Sequence, residues 1–297
     1  MRLGGMLYKP ATIDELDGVI EAFDVYGLSA VSAPVDFADM TDGDAERFGE
    51  YARGLGLVVG DANFRPNLMV RDESLREARI AQLRSALVKA DVMQAEGVVI
   101  LVGTVSTEDH LAAPHPYMYT DECRNEFREI ILSAVDGLEL RHTRLLIEPW
   151  TTSFFYQPLA IREFLDSVSH PSVGVHLDQM NMVDQQHYYR TTELITETFD
   201  LLSPYIGGIH FKDVLWDWRH MLLKFDEVPV GDGVLDYHTY LRRVASLDVD
   251  ITCFCEHYKT EGEYAVSFAR LHRIAAEIGA SFVLRSPSLA MMANPPR

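Results

Sequence analysis

What most restricts the fold is an alternation that never breaks: apolar strand-like runs followed by segments with helical period, eight times over. The strand candidates are RLGGML (2–7), LSAVSAP (28–34), LVVGDANF (57–64), GVVILVG (97–103), RLLIEPW (144–150), VGVHLD (173–178), YIGGIHFKDV (205–214) and DITCFCEHY (250–258). Between them, apolar residues recur at helical spacing. Ile13, Leu16, Ile20 and Phe23 form one stripe, with Thr12 and Glu15 placed as a capping box. Ile80, Leu83 and Leu87 form another, then Phe127, Ile130, Ala134 and Leu138, and then Ile161, Leu165 and Val168. Tyr237, Leu241 and Val244 follow, and Tyr264, Phe268, Leu271 and Ile278 close the series. Two further helices are expected near 43–55 and 191–203. Eight such units without a linker predict an α/β fold, a single (β/α)8 TIM barrel, for which about 250 residues is usual. A doubly wound open sheet is the rival, but the first turn offers no Gly-rich dinucleotide fingerprint.

The barrel is expected over residues 1–285 as one catalytic domain. Residues 286–297, with three prolines and no period, form a C-terminal tail that admits a homo-oligomer contact. The formal net charge of −19 argues against nucleic acid, whose binding begins with phosphate neutralisation by clustered cations. No apolar run reaches the roughly 18 residues of a membrane span, and MRLGGMLYKP does not read as a signal peptide. Cys123, Cys253 and Cys255 build neither a disulfide framework nor a zinc ribbon. Reduced thiols and a cytoplasmic location are the expectation.

Barrel active sites gather at the carboxyl ends of the strands. The fifth to eighth strands end in Glu148, Asp178, His210 and Glu256. Adjacent strands lie about 4.8 Å apart, so these four side chains can converge. Three carboxylates and an imidazole in contact repel one another toward protonation unless a cation joins them. A divalent metal resolves the conflict. The oxygen-rich set favours Mn2+ over Mg2+ or Co2+, with Zn2+ a less natural choice. His176 shares the face of Asp178 two residues deeper, and Lys212 shares that of His210. Asp213 reads as structural.

LLIEPW, GVHLDQMN, GIHFKDV, VPVGDGVLDY and CFCEHY, in this order, make the chain resemble the xylose isomerase-like sugar phosphate isomerase/epimerase superfamily over essentially its whole length. The resemblance implies that Glu148, Asp178, His210 and Glu256 hold one divalent metal. It also implies chemistry next to a carbonyl, with an enediolate formed as a carbon-bound proton leaves. Glu148 and Glu256 would be both ligands and the proton-transfer pair on opposite faces of the sugar.

Three positions depart from the ketose 3-epimerase pattern. Asn181 stands where those enzymes carry His, Trp216 where they carry Arg (with Arg219 nearby), and Phe154 where they carry a substrate-binding Glu. The expected substrate contacts are therefore His176, Asn181, Lys212, Trp150, Trp216 and Arg219. Trp150, Phe154, Phe155, Trp216 and Trp218 would give an aromatic pocket. The implied function is a metal-dependent isomerase or epimerase of a keto-sugar, inosose or oxo-sugar. The alternative is a lyase or dehydratase, including glycoside cleavage. A DNA-repair endonuclease on a related barrel and a non-catalytic subunit are the remaining readings.

Overall fold

In the computed structural model, which describes residues 1–288, strand pairing is parallel around one curled sheet. Its strands are β1 (Arg2–Gly5), β4 (Asp61–Asn63), β5 (Gly97–Ile100), β6 (Arg144–Ile147), β7 (Val173–Asp178), β8 (Ile206–Phe211) and β11 (Thr252–Cys255). The order is β1-β11-β8-β7-β6-β5-β4. The gap between β1 and β4 is filled by β2 (Ala30–Val31) with its partner β3 (Val58–Val59). The Ser29 amide donates to the Leu3 carbonyl at 2.9 Å, and the Ala33 amide to that of Asp61 at 2.8 Å. These bonds close the barrel predicted from the sequence.

The helices fall where the apolar stripes place them: α1 (Ile13–Tyr26), α2 (Asp42–Gly54), α3 (Glu73–Met93), α4 (Asp121–Val135), α5 (Pro158–Val168), α6 (Thr191–Leu202), α7 (Tyr237–Ala245) and α8 (Glu261–Glu277). Their buried faces meet the outward residues of the strands, such as Val98, Leu145, Ile147, Leu177, Ile209 and Phe211. Thr12 accepts from the Glu15 amide, while the Glu15 carboxylate reaches back to the Ala11 amide at 2.7 Å. No helix among the described residues is long and apolar enough to cross a membrane.

Two irregularities shape the interior. The third strand is broken at Gly60 into β3 and β4, so the usual alternation lapses and Asp61 faces inward. Between β7 and β8 the register slips at Val175 and His176, leaving His176 opposite Gly208. A methyl group on Gly208 would lie 2.4 Å from His176 Nδ1, so only glycine leaves room for that imidazole. The chain after β8 forms a hairpin, β9 (Asp213–Trp216) antiparallel to β10 (Phe225–Val228), before it reaches α7.

Of the expected tail, residues 286–288 continue a stretch that packs on the barrel: Val283 donates to Met1, and Ser288 to Gly54 at 2.8 Å. Its remainder, 289–297, lies outside the described residues.

Candidate metal centre

Glu148, Asp178, His210 and Glu256 are each no more than 2% exposed. One ligand atom from each lies within 4.8 Å of the others. His210 Nδ1 is 3.3 Å from Glu148 Oε1, 3.2 Å from Glu256 Oε1 and 3.8 Å from Asp178 Oδ2. The strand end that carries His210 is held by three buried or half-buried tyrosines. Tyr240, Tyr258 and Tyr237 donate to the successive carbonyls of His210, Phe211 and Lys212, at 3.4, 2.9 and 2.9 Å.

Burial disfavours every charge here, and the pattern of pKa displacement shows which partner overrides it. Burial raises Asp178, against the pull of Lys212, to about 6. Burial would also raise Glu148 and Glu256. The facing His210 brings Glu148 down to about 2, and His210 with Lys212 brings Glu256 well below the carboxylate range. Burial opposes the His210 cation, yet Glu256 and Glu148 hold its pKa well above the ordinary value. The four groups therefore behave as one strongly interacting unit.

The donor set fits a hard or borderline divalent ion: three carboxylates and one imidazole, all dry. Asp178 Oδ2 supports this, because it is buried without a hydrogen-bond partner although Lys212 Nζ lies 2.8 Å away. Two residues that the sequence reading passed over complete the surroundings. Asp61 Oδ2 is 2.9 Å from His210 Nε2, which leaves Nδ1 to face the carboxylates. Arg65 Nη1 is 3.6 Å from Glu148 Oε2, and its Nη2 donates to Asn63 Oδ1 at 2.7 Å.

Lys212 is fully buried. Its Nζ lies 2.7 Å from Glu256 Oε1 and 3.2 Å from Glu227 Oε1. Glu227 comes from β10 and also meets His257 Nδ1 at 3.1 Å. His257 has a positive φ of 62°, a conformation few residues other than glycine adopt. Asp213 is structural: its carboxylate accepts from the amides of Val214, Gly231 and Leu235. That cradle explains why GIHFKDV and VPVGDGVLDY occur together. A side chain on Gly233 would fall 2.3 Å from Asp213 Oδ1.

The remaining expected substrate contacts divide. Asn181 Nδ2 donates to Glu148 Oε1 at 3.1 Å, and Trp150 lies 5.9 Å from Lys212 Nζ, ring centroid to nitrogen. Both line a cleft of about 300 Å3 with Phe225 and Glu227. His176, by contrast, is fully buried, and its ring packs against that of His210 with centroids 4.2 Å apart. Burial lowers its pKa to about 4, which keeps the ring neutral.

Trp216 packs edge-on against Tyr188 and Phe225 in the hairpin. Arg219 points to solvent and pairs with Asp217 at 2.8 Å. Both are thus engaged within the hairpin and its turn. Of the residues expected to form an aromatic pocket, Trp150 lines the cleft, Phe154 and Phe155 pack edge-on or tilted against Phe127 and Phe164, and Trp218 is 82% exposed. A second cleft, of about 380 Å3, reaches Glu256 and is lined also by Lys9, Ser32, Arg65, His257 and Tyr264.

A family model described as Xylose isomerase-like TIM barrel matches residues 20–282. Among solved structures, a Xylose isomerase-like TIM barrel protein from Mycobacterium smegmatis in complex with magnesium superposes with a TM-score of 0.67 at 17% identity, covering 92% of each chain. The 3-keto-D-glucoside 4-epimerase of E. coli gives 0.64 at 16% identity, covering 93% of this chain and 99% of that one. A probable 3-DHS dehydratase from Bacillus anthracis gives 0.67 at 14%, covering 89% and 98%. No curated protein sequence matches the chain.

Proposed function

The chain belongs to the xylose isomerase-like TIM barrel family, and from that premise we propose that it is a divalent-metal-dependent isomerase or epimerase of a keto-sugar, inosose or oxo-sugar. The observation that carries the reading is the division of labour between carboxylate oxygens. Glu148 and Glu256 each turn Oε1 toward His210 Nδ1. Their Oε2 atoms turn elsewhere, to Arg65 at 3.6 Å and to His257 Nε2 at 3.5 Å. Arg65 and His257 line the same cleft. Glu256 lines that cleft directly and Glu148 adjoins it through Arg65, so a carbon next to a carbonyl can sit between the two carboxylates.

Glu148, Asp178, His210 and Glu256 would hold the ion. When bound, a divalent ion polarises the substrate carbonyl and offsets the charge that develops as the proton leaves. The protein groups do the rest. One of Glu148 and Glu256 takes the proton through Oε2 as a carboxylate, and the other, entering the cycle protonated, returns one from across the ring, so the pair ends with its protonation states exchanged. Asn181 fixes the rotamer of Glu148, and Lys212 fixes that of Glu256. Mn2+ is the proposed ion, on the strength of the mixed oxygen and nitrogen donors.

The enzyme neighbours include epimerases and a dehydratase, which supports a small-molecule substrate without separating isomerisation from elimination. A lyase on the same site is the second reading. Asn181, Trp216 and Phe154 stand where the ketose 3-epimerases carry His, Arg and Glu, which weighs against a plain ketohexose 3-epimerase.

Incubation of candidate keto-sugars with Mn2+-loaded protein in D2O tests the proposal. Deuterium is expected at the carbon beside the carbonyl, lost on chelation or with Glu256→Gln. Persistent absence of exchange across keto-sugars, inososes and oxo-sugars contradicts it, and a product lacking water or a released aglycone favours the lyase.

A further inference from the structure

The cleft that reaches Glu256 does not end at the metal centre. Val35, Asn63 and Arg65 form its outer wall, and the same three residues line a further lobe of about 360 Å3 on the other side. The two spaces therefore adjoin, with Arg65 in the wall between them. Each is at the small end of the range for small-molecule sites, about 300–1,000 Å3, and together they exceed what one sugar ring requires.

The lining says what kind of group the outer lobe suits. Its floor is apolar, made by Val35, Ala38, Pro66 and the edge of Phe64, and Val35 is 78% exposed there. Asp39, Gln82 and Ser85 rim it. Arg65 is the one cation among the lining residues, and it is already engaged by Asn63 Oδ1 and Glu148 Oε2. A phosphate or carboxylate would meet Asp39 with no cation to spare. A neutral ring with an apolar face meets an apolar floor and a rim of hydrogen-bonding groups. The guanidinium at the junction has five N–H donors, more than these contacts use, and can hold an oxygen that joins two halves of a ligand.

We propose that the substrate has two parts: the reacting keto-sugar or polyol ring in the inner cleft, and a neutral ring joined to it through oxygen in the outer lobe. The inference rests on the function proposed above and narrows its substrate class from free sugars to glycosides. The second ring is an aryl group or another sugar, which share the same apolar-faced, uncharged chemistry.

Binding without turnover tests this apart from catalysis. The full-length chain, loaded with diamagnetic Mg2+, is titrated with methyl β-D-glucopyranoside, phenyl β-D-glucopyranoside and cellobiose, none of which carries the ketone needed for reaction. Saturation-transfer NMR and calorimetry read the result. We expect phenyl glucoside, cellobiose or both to bind roughly tenfold more tightly than the methyl glycoside, with saturation on the second ring. Ser85→Trp, on the rim of the outer lobe alone, should remove that gain and leave methyl glycoside binding unchanged; Gln82→Trp serves as the second variant should Ser85→Trp fold poorly. Equal affinities, no binding by any of the three, or a gain that survives both variants overturns the proposal. Deuterium exchange measured separately reports on the reaction, so the two readings fail by different signs.

Discussion

Asp61 Oδ2 and His210 Nε2 lie 2.9 Å apart in the barrel interior, and this one contact decides which nitrogen of His210 meets the three carboxylates. With Nε2 donating to Asp61, Nδ1 is free to act as a ligand. Carboxylate partners of this kind fix ring orientation, and removing them commonly costs about 10–100-fold in metal affinity. Asp61→Asn keeps the shape but weakens the acceptor. Calorimetric titration with Mn2+ should show a loss of about tenfold or more, with the thermal midpoint of the metal-free chain changed little by comparison. Unchanged affinity would show that Asp61 does not orient the imidazole.

Lys212 makes a second prediction. Its ammonium lies 2.8 Å from Asp178 Oδ2 and 2.7 Å from Glu256 Oε1, so Lys212→Met leaves two buried carboxylates without their cation. Breaking buried pairs in this way costs about 3–5 kcal/mol. The metal-free variant should melt well below the parent chain. Because a divalent ion compensates the same carboxylates, added Mn2+ should raise Tm more in the variant than in the parent. Thermal shift with and without Mn2+ checks this; an equal or smaller metal-induced shift contradicts it.

Asp213 and Gly233 form a structural lock between β9 and the loop leading to α7. Asp213→Ala strips the acceptor from the Gly231 and Leu235 amides. Unsatisfied buried donors cost about 1–3 kcal/mol each. Gly233→Ala would drive its methyl to within 2.3 Å of both Asp213 Oδ1 and the Val214 carbonyl. Chemical denaturation should show both variants destabilised by about 2 kcal/mol or more. Stabilities equal to the parent would refute the lock.

Glu96, at the foot of β5, predicts a pH dependence remote from the metal centre. Burial, with Asp250 and Asp61 adding repulsion, raises its carboxyl from 4.5 to about 7, while Thr252 Oγ1 donates to it at 2.7 Å. A carboxyl with a raised folded-state pKa binds its proton more tightly when folded. Its contribution is complete below pH 4.5 and is lost as pH rises through about 7. One pKa unit is about 1.4 kcal/mol; partial solvent access reduces the total to about 1–2 kcal/mol. Glu96→Gln should be more stable than the parent at about pH 8 and should flatten this part of the pH profile. Parallel profiles for the two proteins would place the titration elsewhere.

Most of the barrel was legible because its signals are periodic. Each of the eight apolar runs contains strand, and the convergence of Glu148, Asp178, His210 and Glu256 follows from their position at strand ends. Asp61 was not legible in that way. Alternation alone leaves open whether Gly60 or Asp61 turns inward, and in the structure, where the run breaks at Gly60, the Asp61 carboxylate reaches His210. The one hint was an aspartate inside an otherwise apolar run. Glu227 was hidden because residues 215–228 carry no strand signal, whereas Asp213–Trp216 and Phe225–Val228 pair as a hairpin. The same hairpin sets the surroundings of Trp216 and Arg219, which their spacing from His210 does not encode. Arg65 carried no periodic signal at all; its position depends on the fold of the loop after β4.

The central claim is that the ends of β6, β7, β8 and β11 share one divalent ion. Anomalous diffraction at the manganese edge, on crystals of the full chain grown with Mn2+, measures it directly. The account predicts a single strong peak enclosed by Glu148, Asp178, His210 and Glu256, absent from crystals of Asp178→Asn. No peak there, or one bound by other residues while these four remain in contact with each other alone, contradicts it.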